Sequence, residues 1–125
     1  MAIPESLLMQ SELTPTQIEA ISSYMAVRAG HMKWKEAAAT LRRKRRQGLD
    51  RPVSLGSYYR TVQQAKDNVK KSAVTLLIAV WLGLVRVEDM RRLFEMSTRS
   101  PSDLSEEDRD RLGTVIQALL TQMTS

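Results

Sequence analysis

The sequence predicts an all-α fold of about five helices, and three observations carry that expectation. Apolar residues recur at three- and four-residue spacing along most of the chain, and no stretch alternates with period two for long enough to make a strand. Helix-start signals (Thr14-Pro15, Ser54, Ser105) and helix-stop glycines (Gly30, Gly83) divide the chain at helical intervals. The five glycines and four prolines of the 125 residues are few and fall mostly at those boundaries.

Thr14 suits an N-cap, with Pro15 at the first helical position and Gln17 placed to complete a capping box. The helix that follows should turn Ile18, Ile21 and Met25 inward beside Tyr24 and end at Gly30, where a residue able to take positive φ is wanted. A second helix is expected from Lys33 to Arg46, with Trp34, Ala37, Ala38 and Leu41 on one side and five consecutive basic residues closing it, as cations suit a last turn. Residues 47–53 hold Gly48, Asp50 and Pro52 and read as a loop.

Ser54 then caps a segment with no breaker before Gly83. At about 100° per residue, Leu55, Tyr58, Val62, Ala65, Val69 and Ala73 fall on one stripe, and Ser57, Arg60, Gln64 and Lys71 lie on the other side. From Ala73 the polar side disappears. The sequence leaves open whether 54–82 is one helix or two joined near Ser72. Gly83 followed by Leu84 suits a Schellman stop. A short helix is expected over Val87–Thr98, with Glu88 and Asp89 in its first turn and Met90, Leu93 and Phe94 inward. After a linker at Ser100–Asp103, Ser105 opens a last helix whose apolar face comprises Leu112, Val115, Ile116, Leu119, Leu120 and Met123. We expect a single domain, with a basic part at 13–72 and a helical association part at 73–125.

Charge is segregated along this chain. Between Lys33 and Lys71 lie twelve of the nineteen Lys and Arg residues but only three acids, a net of +9, whereas the remaining residues carry seven bases and eleven acids, a net of −4. Such a block concentrates polyanions at one face. Absence of cysteine removes disulfides, thiol catalysis and cysteine-ligated zinc. His31, the only histidine, follows a helix-ending glycine with no carboxylate pair or phosphate loop beside it, so no catalytic residue, metal site or cofactor is expected. The acids at 106–110 pair with a helix N-terminus. The first residues lack a basic region before a short apolar run, and the apolar stretch 73–85 is too short for a bilayer, so we expect a cytoplasmic, nucleoid-associated protein with no membrane partner.

The tract Ser54-x-Gly56-Ser57-Tyr58-x-Arg60-x-Val62-x-x-Ala65 resembles the recognition helix of helix-turn-helix proteins of archaeal and bacterial regulators, including the fourth-region helices of sigma factors. Upstream, Trp34-Lys-Glu-Ala-Ala-Ala-Thr-Leu41 is similar to their supporting helix. About a dozen residues separate Leu41 from Ser54, where such proteins use a turn of about three or four. The resemblance implies double-stranded DNA as partner, with Ser57, Tyr59, Arg60, Gln63 and Gln64 reading base edges, since Arg pairs with guanine and Gln with adenine. Phosphates would fall to Lys35, Arg42, Arg43, Lys44, Arg45, Arg46, Arg51, Lys66, Lys70 and Lys71. A homodimer is expected, because a helix apolar all round is not covered by the rest of so small a chain. Its interface should use Leu76, Leu77, Ile78, Val80, Trp81 and Leu119. The function expected is sequence-specific transcriptional regulation. The alternatives are a non-specific nucleoid or RNA-binding protein using the same face, and an adaptor for an acidic partner. The sequence names no small-molecule effector.

Overall fold

The computed structural model describes residues 3–45, 54–97 and 103–125, with side chains in the first stretch described as far as Leu41. Among the described residues there are six helices and no strand: α1 (Glu5–Leu8), α2 (Pro15–Arg28), α3 (Trp34–Arg45), α4 (Leu55–Trp81), α5 (Val87–Met96) and α6 (Glu106–Met123). The expected loop at 47–53 and most of the linker at 100–103 lie outside them. The chain forms two compact units, Glu12–Lys70 and Met1–Ser11 with Lys71–Ser125. The boundary falls inside α4, and the first eleven residues group with the carboxy-terminal unit.

In the unit Glu12–Lys70 the caps are those the sequence specifies. Thr14 Oγ1 accepts from the Gln17 amide at 3.1 Å, and Gln17 Oε1 accepts from the Thr14 amide at 3.1 Å. At the other end of α2, the His31 amide donates to Ala26 O and the Gly30 amide to Val27 O, a Schellman pair made possible by φ 81° at Gly30. Ser54 Oγ accepts from the Ser57 amide at 3.1 Å and starts α4.

Three helices meet in one core: Ala20 from α2, Ala37, Ala38 and Leu41 from α3, and Tyr58 and Val62 from α4. The alanines let the helix backbones approach, and Tyr58 fills the centre with no exposure at all. Burying its hydroxyl is costly without partners. They are the Ser23 hydroxyl at 2.8 Å and the Ala20 carbonyl at 3.2 Å, while Ser23 itself donates to Ala20 O at 3.0 Å. This triangle corrects the expected face of α2. Ser23 turns inward, and Met25, expected in the core, is 54% exposed. On α4 the buried set is Tyr58, Thr61, Val62 and Ala65. Leu55, Val69 and Ala73, expected on the same stripe, are exposed.

The carboxy-terminal unit holds α1, residues 71–81 of α4, α5 and α6. Gly83 (φ 82°) ends α4 as expected, with the Leu84 amide donating to Ala79 O and its own amide to Val80 O. Ser105 Oγ accepts from the Asp108 amide and opens α6. Val85, Leu119 and Met123 are buried together, flanked by Ala79, Val80, Met90, Leu93, Met96 and Leu120. Phe94 and Val115, expected inward, are 63% and 50% exposed. The short α1 docks on α6, where Gln10 Nε2 donates to Gln117 Oε1 at 2.6 Å and Pro4 lies against Gly113.

A methyl group added at Gly113 would sit 2.9 Å from Pro4 Cβ. An exposed mid-helix Gly→Ala change gains about 0.5–1 kcal/mol of helix propensity, but here the clash opposes it. We expect Gly113→Ala to loosen α1 and to expose residues 3–11 to limited proteolysis. Protection equal to wild type would show that α1 does not need the close approach.

Candidate nucleic-acid interface

The amino-terminal half of α4 has one side committed to the core, so the rest of its surface follows from helical phase. Tyr58, Val62 and Ala65 point inward, which places Arg60, Gln63 and Asp67 opposite them. Ser57 and Gln64 lie on one flank of that face, and Tyr59 and Lys66 on the other. Arg60, Gln63 and Gln64 are exposed, and Ser57 is half-buried. The Ser57 carbonyl accepts from the Thr61 hydroxyl at 3.1 Å. Gln63 Nε2 donates to Asp67 Oδ1 at 3.2 Å.

Arg60 and Gln63 thus stand at the centre of that face, with Ser57 and Gln64 on one side and Tyr59 on the other. Tyr59 packs on Trp34, with ring centroids 5.3 Å apart, and on Tyr58 at 5.9 Å, while remaining 42% exposed.

Among the phosphate candidates, Lys35, Lys70 and Lys71 are exposed. Arg42, Arg43, Lys44 and Arg45 form the last turn of α3, their side chains beyond the described ones, and Arg46 and Arg51 lie outside the described residues. Lys66 has a defined place: Nζ donates to the Tyr24 hydroxyl at 2.8 Å and stands 4.2 Å from the centre of that ring. This hydrogen bond holds the Tyr24 phenol below its usual pKa, against an opposing desolvation effect, and the charges of Lys66 and Arg28 lower it further. Tyr58 behaves in the opposite way. Burial raises its phenol, and the Ser23 hydrogen bond only partly offsets this.

Sequence reasoning missed Tyr24, Arg28 and Trp34 as part of this surface. Trp34 is the hub of an aromatic group drawn from all three helices, 5.7 Å from Tyr24 and 6.5 Å from Tyr58. Arg28 lies over the Tyr24 ring at 5.8 Å. The contacts span from α2 to α4, so no local spacing announces them.

In the other unit, the expected interface residues divide. Leu76, Leu77 and Ile78 are 41–46% exposed and Trp81 is 74% exposed. Val80 is half-buried against the Val85 cluster. Leu119 is only 8% exposed, so its apolar surface is spent in the core of its own unit and it offers little to a partner. Val74, Leu77, Ile78 and Trp81 follow i, i+3, i+4, i+7 spacing and share one outward stripe of α4. On α5, Val87, Met90, Arg91, Phe94 and Glu95 line an open cleft of about 460 Å³.

Among the described residues no group of three or more His, Cys, Asp or Glu could hold a metal ion, and no helix is long and apolar enough to cross a membrane. No protein-family model, curated protein or solved structure matches the chain.

Proposed function

We propose that this chain is a sequence-specific double-stranded DNA-binding protein of the helix-turn-helix kind, acting as a homodimer in transcriptional regulation. The observation that carries the reading is the three-helix unit itself. Tyr58 and Val62 brace the start of α4 on α2 and α3, and that packing leaves Arg60, Gln63 and Gln64 in solvent on a rigid element. A reading helix needs this division, with one side anchored and the other carrying donors and acceptors for base edges. The net charge of +9 over 33–71 supplies the field that holds phosphates.

Dimerisation rests on the apolar side chains left in solvent. A specific interface takes about 800 Å² from each partner. Val74, Leu77, Ile78, Trp81, Leu82, Leu84, Val87 and Phe94, each 45–79% exposed, are a supply of that scale. No charged residue lies between Ser72 and Val85 to oppose contact with an identical chain. Two copies would double the DNA contacts and favour a two-half-site operator.

Selection of bound duplexes from a random pool tests the reading, and an enriched palindromic motif is the expected result. On that motif Arg60→Ala or Gln64→Ala should cost about 1–3 kcal/mol, with much less lost on unrelated DNA. Affinity should fall with salt at a log–log slope of about −4 to −7. Binding without an enriched motif, with equal losses on both DNAs, would favour the non-specific nucleoid or RNA-binding reading. Absence of binding at low salt would leave the acidic-partner adaptor.

A further inference from the structure

Tyr24 stands between two cations in an arrangement with unused hydrogen-bonding capacity. Its oxygen accepts from Lys66 Nζ at 2.8 Å, and its own proton has no acceptor among the described residues. Lys66 has further N–H donors to offer. Arg28, over the same ring, also acts on the phenol through its charge and a weaker hydrogen bond, and among the described residues no carboxylate lies within ion-pair distance of either cation. Beside them Trp34 and Tyr59 form a half-exposed aromatic wall, reached from Tyr24 through ring contacts of 5.7 and 5.3 Å.

Cations placed on an aromatic ring are attracted by its face, which accounts for their position. It does not neutralise them. Two positive groups and a phenolic proton with neither counter-ion nor acceptor among the described residues are suited to a compact anion with several acceptor oxygens. The three residues come from the end of α2 and the middle of α4, and the site lies on the flank of α4 that also carries Tyr59, within the unit Glu12–Lys70.

We infer that Tyr24, Arg28 and Lys66 hold one phosphate of duplex DNA, with the Tyr24 hydroxyl and the two cations donating to its oxygens and Trp34 and Tyr59 lying against the adjoining sugar. The inference rests on the duplex-binding reading and adds a backbone clamp from α2 to a surface otherwise drawn from α3 and α4. Such a clamp fixes the orientation of the reading helix and carries no sequence information of its own.

Its signature is a loss that ignores sequence. Removing both charges in Arg28→Gln/Lys66→Gln should make the salt slope less negative by about one, since both serve a single phosphate. It should also weaken the selected motif and unrelated duplex by similar factors, roughly tenfold or more at moderate salt. Tyr24→Phe keeps the ring and should weaken both by about three- to tenfold with the melting temperature nearly unchanged. Nitration of tyrosine supplies a second readout that mutation cannot confuse with misfolding, and bound duplex should protect Tyr24 in the wild-type protein. Unchanged slopes in the double variant, or equal nitration of Tyr24 with and without duplex, would overturn the clamp. If Arg60→Ala still weakened the selected motif in that case, the DNA-binding reading would stand without it. If wild type bound no duplex at low salt, both would fall together.

Discussion

Tyr58→Ala should cost about 3–5 kcal/mol of folding stability, the range for deleting a large buried aromatic ring. Tyr58 has no exposure, contacts residues of all three helices in its unit and satisfies its hydroxyl through Ser23 and Ala20. Ala20, Ala37 and Ala38 in the same core have no side chain long enough to fill the cavity, so collapse around it is limited. Total stabilities are about 5–15 kcal/mol, so the variant should be largely unfolded on mild heating and should lose DNA binding with it. Tyr58→Phe separates the ring from the hydroxyl and should cost about 1 kcal/mol. Denaturant titration followed by circular dichroism measures both. A loss under about 1 kcal/mol for Tyr58→Ala would mean that α4 is not anchored on α2 and α3 by this residue.

The pH dependence has a definite sign. Burial raises the Tyr58 phenol above its ordinary value of 10.0, so the folded state keeps its proton longer than the unfolded chain does. The associated stability is fully present below pH 10.0 and is lost as pH climbs through the raised value. Tyr58→Phe should remove this alkaline limit.

Much of this architecture is written locally. Thr14 with Gln17, Ser54, Ser105, Gly30 and Gly83 announce helix ends because a cap needs only residues within one turn of it. The stripes Trp34–Ala37–Ala38–Leu41 and Tyr58–Val62–Ala65 are legible for a similar reason, since strong periodicity outlasts uncertainty about the partner. The failures are tertiary. Hydrophobicity ranks Met25 above Ser23, yet Ser23 is inside because a hydroxyl thirty-five residues away needs it. Docking of α1 depends on Gly113 meeting Pro4, and the Tyr24–Lys66 contact joins residues forty-two apart. Phe94 follows the apolar period of α5 and is nevertheless in solvent, because the period states which side chains cluster and not what covers them. In the candidate site, residue types at 57–64 were readable from chemistry. That Tyr59 packs on Trp34 was not, because the contact joins two helices.

The second large effect is expected from Leu77→Asp or Ile78→Asp, and it should appear in assembly before folding. Leu77 and Ile78 are 46% and 45% exposed within the protomer, so a carboxylate there can reach water as long as the chain is alone. In a dimer that buries the stripe Val74–Leu77–Ile78–Trp81, the same carboxylate would be desolvated without a cation, at a cost of about several kcal/mol. Each about 1.4 kcal/mol is a tenfold change in dissociation constant, so micromolar or tighter association should give way to monomer under the same conditions. The helix content should be retained. Trp81, 74% exposed in the protomer, reports the event directly, because its emission should shift to the blue when wild type associates and stay red in the variant. Affinity for a two-half-site operator should drop far more than affinity for a single half-site, since the monomer keeps its reading helix and loses only the second copy. A wild-type protein that sediments as a monomer at micromolar concentration, with red Trp81 emission, would refute the dimer and leave this apolar face to a different chain.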